Sequence, residues 1–393
     1  MNDKLSFENT ELAFRHKSNR ELRFTIFIYR LMGQPWLVKL FSALTLFSLK
    51  LHLPIGWIIK ATIFRQFCGG ETLEESQAYV AMLRKNNVEA ILDYSVEGQN
   101  SEKAFEKTKD ELLRLIENAK RVSKDPTTCM KITGLARFDL LEKVTEQPDS
   151  MSDKEKDEWG RVRERVDSIC KRAHDSDVRI YIDAEDSWIQ GAIDELAESM
   201  MRKYNAKRAI VYATAQLYRH DRLEYARQLI DAARADKFIL GIKMVRGAYM
   251  EKEHERAKEK GYPTPIQPNK EATDRDYNAC LKLVVDNIDI VEFCAGTHNE
   301  KSCLYLTELM TEKALANDHP HIYFSQLFGM SDNISYNLSA NGYNVSKYLP
   351  YGPVRDTVPY LIRRAEENTA IAGQMGKELR LVIEEKQRRK SKA

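Results

Sequence analysis

The chain has 393 residues, of which 43% are hydrophobic and 31% charged, and its formal net charge is only +2. This composition is typical of a globular protein with a sizeable core, and the near balance of 61 basic and 59 acidic residues gives no electrostatic reason to expect nucleic acid as a partner. Because the six cysteines include no Cys-x-x-Cys pair, the sequence predicts neither a disulfide framework nor a zinc ribbon and favours a reducing compartment.

The first 86 residues have helical character and are predicted to form a separate N-terminal region. Within it, residues 31–67 are rich in aromatic and aliphatic side chains, but Lys39, Lys50 and Lys60 interrupt the apolar runs. A membrane span needs about 20 uninterrupted apolar residues, so none is predicted. Two interpretations stay open: a helix pair lying in the membrane interface, or a helical cap packed on the following domain.

The start of the chain carries acidic residues and no prompt apolar core, so no secretory signal is predicted. We therefore expect a cytoplasmic protein. If the interfacial interpretation holds, it would be peripherally attached at the inner face of the membrane.

From residue 87 to the end, short β-branched runs alternate with long charged segments of helical composition. The runs lie at residues 88–94, 128–133, 178–184, 208–213, 238–245, 290–295, 322–326 and 343–349. Eight alternations of strand and helix favour an α/β fold, a closed (β/α)8 barrel of the TIM type over residues 87–393. An open doubly wound sheet has the same alternation and stays as the alternative.

Polar side chains follow the predicted strands at the end where barrel enzymes carry their chemistry. They include Asp93 and Glu97, Lys131, Asp183, Gln216, Arg246, the run Thr297-His298-Asn299, Gln326 and Tyr348. No Gly-x-Gly-x-x-Gly fingerprint occurs, which argues against a Rossmann-type nucleotide site. Asp318-His319-Pro320-His321 lacks the helical spacing of metal ligands, so no metal is predicted.

The segment after the last predicted strand places Tyr360, Arg363, Arg364 and Glu367 on one face of a helix. Adjacent arginines beside a tyrosine suit a carboxylate clamp, because guanidinium groups bind carboxylates bidentately. A solvated charged face with a weak Arg363–Glu367 pair is the alternative.

An ordered set of motifs resembles the proline dehydrogenase family. Lys243-Met244-Val245-Arg246-Gly247-Ala248-Tyr249 resembles the family's strand-five signature, and Tyr360-Leu361-Ile362-Arg363-Arg364-Ala365-Glu366-Glu367-Asn368 resembles its last-helix motif. Further matches follow in order: Leu92-Asp93-Tyr94-Ser95-Val96-Glu97, Lys131-Ile132-Thr133, Asp183-Ala184-Glu185, Gln216, Thr297-His298-Asn299, Gln326-Leu327 with Gly329-Met330, and Tyr348. The set extends over residues 87–375. It resembles the monofunctional enzyme, since the chain is too short for a fused aldehyde dehydrogenase domain.

The resemblance implies a flavoprotein oxidoreductase with a distorted (β/α)8 barrel that acts in the first step of proline catabolism. Such an enzyme oxidises L-proline to Δ1-pyrroline-5-carboxylate by hydride transfer from C5 to N5 of FAD and passes the electrons to a quinone. The FAD contacts implied are Gln216, Lys243, Val245, Arg246, Gly247, Ala248, Tyr249, Thr297, His298 and Asn299.

The resemblance also implies a substrate site. Lys131, Arg363 and Arg364 would bind the proline carboxylate, and Asp183 would position Lys131 or nearby flavin groups. The walls around the pyrrolidine ring would be Tyr348, Leu327, Tyr360 and Tyr249. Glu97 would pair with Arg363 to close the site, and Glu367 belongs to the same helical motif as the arginines.

Two other functions stay open. A different FAD barrel, such as a methylenetetrahydrofolate reductase, would have less use for a paired-arginine clamp. A non-enzymatic, membrane-associated scaffold built on residues 31–67 would bind no flavin.

Overall fold

Eight strands form a closed barrel in chain order. The computed structural model describes residues 5–51, 53–96, 98–370 and 372–392. For residues 49, 367–370 and 372–375 it describes the backbone and not the side chains. The strands are β1 (Glu89–Tyr94), β2 (Thr127–Met130), β3 (Arg179–Ile182), β4 (Val211–Gln216), β5 (Leu240–Val245), β6 (Val291–Gly296), β7 (Ile322–Leu327) and β8 (Val345–Tyr351). From β1 to β6 each neighbouring pair is parallel. The predicted barrel is confirmed, and the open sheet is excluded because the strand order closes on itself.

Helices precede the barrel and follow every strand. They are α1 (Thr10–Phe14), α2 (Asn19–Met32), α3 (Pro35–Lys50), α4 (Gly56–Ile59), α5 (Arg65–Phe67), α6 (Leu73–Arg84), α7 (Glu102–Val122), α8 (Phe138–Glu146), α9 (Asp153–Ser176), α10 (Ser187–Tyr204), α11 (Arg222–Asp236), α12 (Met250–Lys260), α13 (Lys270–Asp286), α14 (Glu300–Glu312), α15 (Asp332–Ala340), α16 (Val354–Ala370) and α17 (Ala372–Ser391). A π-helical turn (Lys60–Phe64) joins α4 to α5. Local sequence sets several starts, since Ser18 with Glu21 and Ser152 with Glu155 form capping boxes at α2 and α9.

The predicted strand boundaries differ from the observed ones by at most three residues, and the three-residue differences occur in β2 and β4. The run predicted at 208–213 is paired only from Val211, because Asn205 Oδ1 accepts hydrogen bonds from the backbone N–H groups of Ile210 (3.0 Å) and Val211 (2.9 Å). The run predicted at 128–133 ends at Met130, and a 3-10 turn follows it, in which the N–H of Thr133 donates to Glu185 Oε1 at 3.0 Å. Side chains take over backbone groups that a longer ladder would have used, Asn205 from a nearby position and Glu185 from 52 positions away.

The chain divides into two compact units, Met1–Ala90 with Ser325–Ala393 (the terminal unit) and Ile91–Phe324 (the central unit). The domain boundary predicted after residue 86 stays a prediction. In the central unit, strands such as β4 are buried at every position, which explains their near-continuous apolar character. In the terminal unit, one hydrophobic core includes Leu22, Phe67, Leu361 and Leu381.

The apolar segment at residues 31–67 is divided between core and surface. Phe64 and Phe67 are 2% and 0% exposed and belong to the core of the terminal unit. Trp36, Phe47 and Trp57, by contrast, are 64%, 60% and 73% exposed. The helical-cap interpretation therefore accounts for the end of the segment and leaves the aromatic side chains of α3 and α4 without a packing role. Within the part of the chain that the structure describes, no helix has the length and apolar character needed to cross a membrane.

Candidate active site

A row of alternating charges lies at the carboxyl ends of four strands in the central unit. It consists of Asp93 on β1, Lys131 after β2, Asp183 after β3 and Lys243 on β5. Lys131 Nζ is 3.2 Å from Asp93 Oδ2 and 3.7 Å from Asp183 Oδ2, and Asp183 Oδ1 also accepts a hydrogen bond from Lys243 Nζ. None of the four side chains is more than 11% exposed, so each cation is held by carboxylates with little screening by water.

The register of the barrel produces the middle of this row. Met130 pairs with Ile182, and the N–H of Asp183 donates to the Met130 carbonyl at 2.9 Å. The residues that directly follow the two strands, Lys131 and Asp183, therefore lie side by side. Asp93 is predicted as a strand-end residue and belongs to one of the family motifs, but neither gives it a role. It contacts Lys131, which is 38 positions away, and neither motif predicts this contact.

The guanidinium of Arg246, after β5, is fixed by groups from α13, the β6–α14 loop and α14. Its Nε is 2.8 Å from Asp274 Oδ1 and its Nη2 is 3.0 Å from Ser302 Oγ. It also donates to Thr297 Oγ1, and its Cζ lies 4.2 Å from the ring centroid of Tyr277. Burial raises the pKa of Asp274, but the hydrogen bond from Lys270 and the charge of Arg246 outweigh it and hold that pKa below its usual range. Arg246 therefore faces an ionised carboxylate at neutral pH.

The loop after β6 carries Thr297, His298 and Asn299 into the start of α14. Asn299 is the N-cap, and its Oδ1 accepts from the N–H groups of Lys301 (2.9 Å) and Ser302 (3.3 Å). The N–H of Asn299 in turn donates to Thr297 Oγ1 at 3.0 Å. His298 lies between them and is half-buried. The positive end of the helix dipole at this point is suited to an anionic group.

Two buried polar atoms, Gln216 Oε1 and Tyr218 Oη, fit a polar ligand. Gln216, the last residue of β4, has a buried Oε1 with no hydrogen-bond partner among the described residues. Gly247 has φ of +136°, and a Cβ there would lie within about 2.5 Å of the Tyr218 ring, so only glycine fits. Burial raises the pKa of Tyr218 well above its ordinary value, and its buried hydroxyl also has no partner in the described part of the chain. Buried polar atoms without partners are rare and indicate a missing ligand or water.

The terminal unit contains most of the other predicted substrate residues, whereas Tyr249 lies in the central unit, directly before α12. Leu327 ends β7, Tyr348 lies on β8, and Tyr360, Arg363 and Arg364 lie on α16 at helical spacing. Arg364 is only 5% exposed, and its Cζ lies 5.2 Å from the ring centroid of Tyr360. The solvated-face interpretation is therefore wrong for Arg364, whereas Arg363 is partly buried.

Two predicted residues cannot be placed. Glu97 and the side chain of Glu367 lie outside the described residues, so the predicted pair between Glu97 and Arg363 stays a prediction. Among the described residues there is no group of three or more histidine, cysteine, aspartate or glutamate side chains arranged to hold a metal ion.

Fold and site together define an enzyme of the (β/α)8 barrel class, with charged side chains collected at the carboxyl ends of its strands. Residues 76–377 match the model of the family described as Proline dehydrogenase. The chain belongs to the proline dehydrogenase family, whose members are oxidoreductases acting on proline. The resemblance inferred from the motifs is confirmed.

Known proteins with similar sequences cover most of the chain. It is 34% identical over 353 residues to "Carbapenem antibiotics biosynthesis protein CarD" of Pectobacterium carotovorum subsp. carotovorum, which covers 89% of this chain and 91% of that protein. It is 31% identical to "Proline dehydrogenase 1, mitochondrial" of Dictyostelium discoideum, over 95% of this chain and 73% of that one.

A solved structure shares the fold. The proline utilization A (PutA) protein of Bdellovibrio bacteriovorus, inactivated by N-propargylglycine, matches with a TM-score of 0.70 and 20% identity. The match covers 78% of this chain but 33% of that one, so the chain corresponds to about a third of PutA. At this identity the likeness concerns the fold alone.

Proposed function

We propose that the chain is an FAD-dependent enzyme that oxidises L-proline to Δ1-pyrroline-5-carboxylate in the first step of proline catabolism. One observation carries the proposal. The family match spans residues 76–377, and the predicted site residues that the structure describes lie late in a strand, in the loop after it, or on α16. Proline oxidation needs groups for a carboxylate and for a flavin, and both kinds occur among them.

Arg363 and Arg364 are proposed to bind the proline carboxylate. The guanidinium of Arg364 is buried and lies against Tyr360. It could donate two parallel N–H hydrogen bonds to a carboxylate, and water would screen this interaction little. Lys131 is proposed as a third cation for the same anion, with Asp183 holding it in position. Because the proline carboxylate would be bound by fixed donors, the pyrrolidine ring would be oriented with C5 toward the flavin. Tyr348, Leu327, Tyr360 and Tyr249 are proposed as the ring's apolar walls.

FAD is proposed to be held in the central unit by Gln216, Lys243, residues 245–249 and residues 297–299. The unpartnered Gln216 Oε1 would accept a hydrogen bond from it. The N-terminus of α14, together with Arg246, suits its phosphates. Lys243 would place a positive charge near the flavin ring, where charge tunes its electronics. FAD, when bound, would accept the hydride from C5 of proline at N5, and the electrons would pass to a quinone.

The visible spectrum of the purified full-length chain tests the proposal. We expect a yellow protein whose flavin absorbance is bleached by L-proline without oxygen and which reduces a dye acceptor when proline is added. Reduction by NADH instead of proline would favour an enzyme of the methylenetetrahydrofolate reductase kind. A protein that stays colourless after incubation with FAD would contradict the flavin site and favour the scaffold.

Tyr348→Ser is expected to weaken the preference for proline over 4-hydroxyproline. Tyr348 is buried on β8, and serine would remove its ring and leave space for a hydroxyl. We expect the ratio of the two kcat/KM values to fall by roughly tenfold, within the range for one group in an apolar pocket. Tyr348→Phe is the control, since it keeps the ring and should leave the ratio nearly unchanged. An equal ratio in Tyr348→Ser and the wild type would remove Tyr348 from the pocket wall.

We further propose that the exposed face of α2, α3 and α4 attaches the protein to the inner face of the membrane. The protein would approach from the cytoplasm, and its quinone acceptor would lie in the membrane. Large apolar side chains on this face, which includes the segment between α3 and α4, are about half exposed or more: Phe27, Trp36, Leu40, Phe41, Leu44, Leu46, Phe47, Leu51, Leu53, Trp57 and Ile58. Residues 31–67 contain no acidic residue. Lys60 is paired with Glu71 at 2.6 Å, whereas Arg30, Lys39, Lys50 and the exposed Arg65 are cations suited to anionic lipid.

Co-sedimentation with vesicles tests this attachment. Phe47→Glu with Trp57→Glu places two charges on the exposed face, and we expect the fraction bound to anionic vesicles to fall about tenfold or more. Phe64→Glu would be a poor choice, because Phe64 is part of the core. Met250→Glu is the control, since Met250 is a comparably exposed apolar residue on α12. If the wild type stays in the supernatant with anionic vesicles, the attachment is wrong.

A further inference from the structure

We propose that Glu378, Lys347 and Tyr29 are positioning residues that hold the turn at residues 327–331 and, through it, one wall of the substrate pocket. They come from α17, β8 and α2, and all belong to the terminal unit. The inference rests on the proposed function, because the wall is that of the proposed proline site. None of the three is a predicted substrate or cofactor contact.

The turn does not have a shape that its own sequence would choose. Gly329 has φ of +79° and Ser331 has φ of +49°, and a serine in this left-handed region costs free energy. A Cβ at Gly329 would lie 2.1 Å from the Gln66 carbonyl oxygen, so the turn packs closely on that backbone. A conformation of this kind persists only where surrounding groups enforce it.

Side chains from distant segments hold the carbonyl groups of the turn. Lys347 Nζ is 3.4 Å from the Leu327 oxygen and also donates to the Met330 oxygen. The Gly329 oxygen accepts from Tyr29 Oη at 2.8 Å and from Gln66 Nε2 at 2.9 Å. Three carbonyl groups in four residues are thus fixed by donors outside the turn.

Glu378 holds the end of the turn from the C-terminal helix. Its Oε2 accepts from the N–H of Ser331 at 3.0 Å and its Oε1 from Ser331 Oγ at 3.1 Å. Tyr29 Oη lies 3.0 Å from Oε2, so the same hydroxyl contacts both Glu378 and the Gly329 oxygen. A single carboxylate therefore fixes the backbone and side chain of the residue with the strained φ.

The charge of Lys347 is compensated within the terminal unit. Lys347 is 0% exposed, and its Nζ is 3.0 Å from Asp332 Oδ1. Asp332 also lies 3.2 Å from Lys17 Nζ and 3.6 Å from His16 Nε2. Without Asp332, a fully buried ammonium would lose the carboxylate that it is directly paired with, so the pair holds Lys347 Nζ at the turn.

The turn connects two predicted wall residues. Leu327 is its first residue, and the N–H of Phe328 donates to the Tyr348 carbonyl at 2.9 Å. Lys347 directly precedes Tyr348 on β8. Its hydrogen bonds to the turn therefore also link the strand next to Tyr348 to the turn. A turn released from Glu378 or Lys347 would shift both walls and weaken ground-state binding of proline while the reacting groups stay in place.

Paired substitutions on α17 test the inference. In Glu378→Gln we expect the KM for proline to rise about fivefold to tenfold, the effect of losing one hydrogen bond of ordinary strength, with kcat within about twofold of the wild type. Glu385→Gln is the matched control, since Glu385 is a buried carboxylate on the same helix that bonds to Thr10, Arg388 and Arg389 and not to the turn. Both variants should lose stability, but only Glu378→Gln should change KM.

Two further measurements separate positioning from folding. Tyr29→Phe removes one hydroxyl, keeps the Gln66 bond to Gly329, and should raise KM in the same direction by a smaller factor. Amide exchange at residues 328–331 should be faster in Glu378→Gln and unchanged in Glu385→Gln. An unchanged KM in Glu378→Gln, or an equal rise in both glutamine variants, overturns the inference. A wild type that does not oxidise proline overturns the proposed function instead, and the exchange rates still show whether Glu378 holds the turn.

Discussion

Replacing Arg364 by methionine is expected to raise the KM for proline by about 30-fold to a few thousandfold while FAD stays bound. The guanidinium is buried, and removing one partner of a buried, hydrogen-bonded charge pair costs roughly 2–5 kcal/mol. Methionine keeps much of the apolar stem and removes only the charge and the donors. Initial rates against proline concentration give KM, and the flavin-to-protein absorbance ratio reports bound FAD.

The neighbouring arginines on α16 provide the comparison. Arg363→Met should act in the same direction with a smaller factor, because Arg363 is partly exposed and its charge is better screened. Arg355→Met is the control, since Arg355 is exposed near the start of the same helix and should leave KM unchanged. A wild-type KM in Arg364→Met would show that α16 does not bind the carboxylate.

Replacing Asp332 by asparagine is expected to lower the free energy of unfolding by about 3–5 kcal/mol, the usual cost of leaving a buried partner charge uncompensated. Asp332 is the counter-charge of Lys347, which is fully buried, and of Lys17. Denaturant unfolding at pH 7 measures the change. Asp289→Asn breaks an exposed pair with Arg234 and should cost less than about 1 kcal/mol. A similarly small change for Asp332→Asn would show that the buried lysine is neutral or solvated.

The same carboxylate predicts a dependence on pH. Burial alone would raise the pKa of Asp332, but the charges of Lys17 and Lys347 and the His16 contact hold that pKa well below its usual range. A carboxyl group whose folded pKa is depressed contributes its full stabilisation above the unfolded pKa of about 4 and loses it as the pH falls through the folded value. On acidification below pH 5, the free energy of unfolding should therefore fall further in the wild type than in Asp332→Asn, because asparagine does not titrate. Parallel curves for the two proteins would contradict the assignment.

The barrel and much of the candidate site could be predicted without coordinates. Parallel strands buried on both faces appear as short β-branched runs, so the eight strands were found to within a few residues. The rule that barrel chemistry lies at the carboxyl ends of strands then singled out Lys131, Asp183 and Gln216. Family motifs added Arg363 and Arg364, which helical periodicity alone left as a possible solvated face.

Other features depended on partners far away in the chain. Local sequence does not distinguish Phe64, which is core, from Trp57, which is exposed, because both occur in the same apolar run with basic residues. Lys347 interrupts an apolar strand as a surface lysine would, yet it is buried, since Asp332 and the carbonyl groups of the 327–331 turn surround its ammonium. Asp93 likewise acquires its place from Lys131 on the next strand.

Backbone periodicity and strand-end chemistry are local or repeated properties, so the amino-acid sequence was enough to predict an α/β fold, the approximate strand ends and the helix that carries the paired arginines, while the closed order of the strands and the burial of Arg364 required the structure. The pairing of buried charges is different, because a carboxylate and an ammonium find each other only when the barrel closes and the terminal helices pack. Which lysine is buried, which aromatic face stays exposed and which residues hold the turn after β7 were therefore visible only in the folded chain.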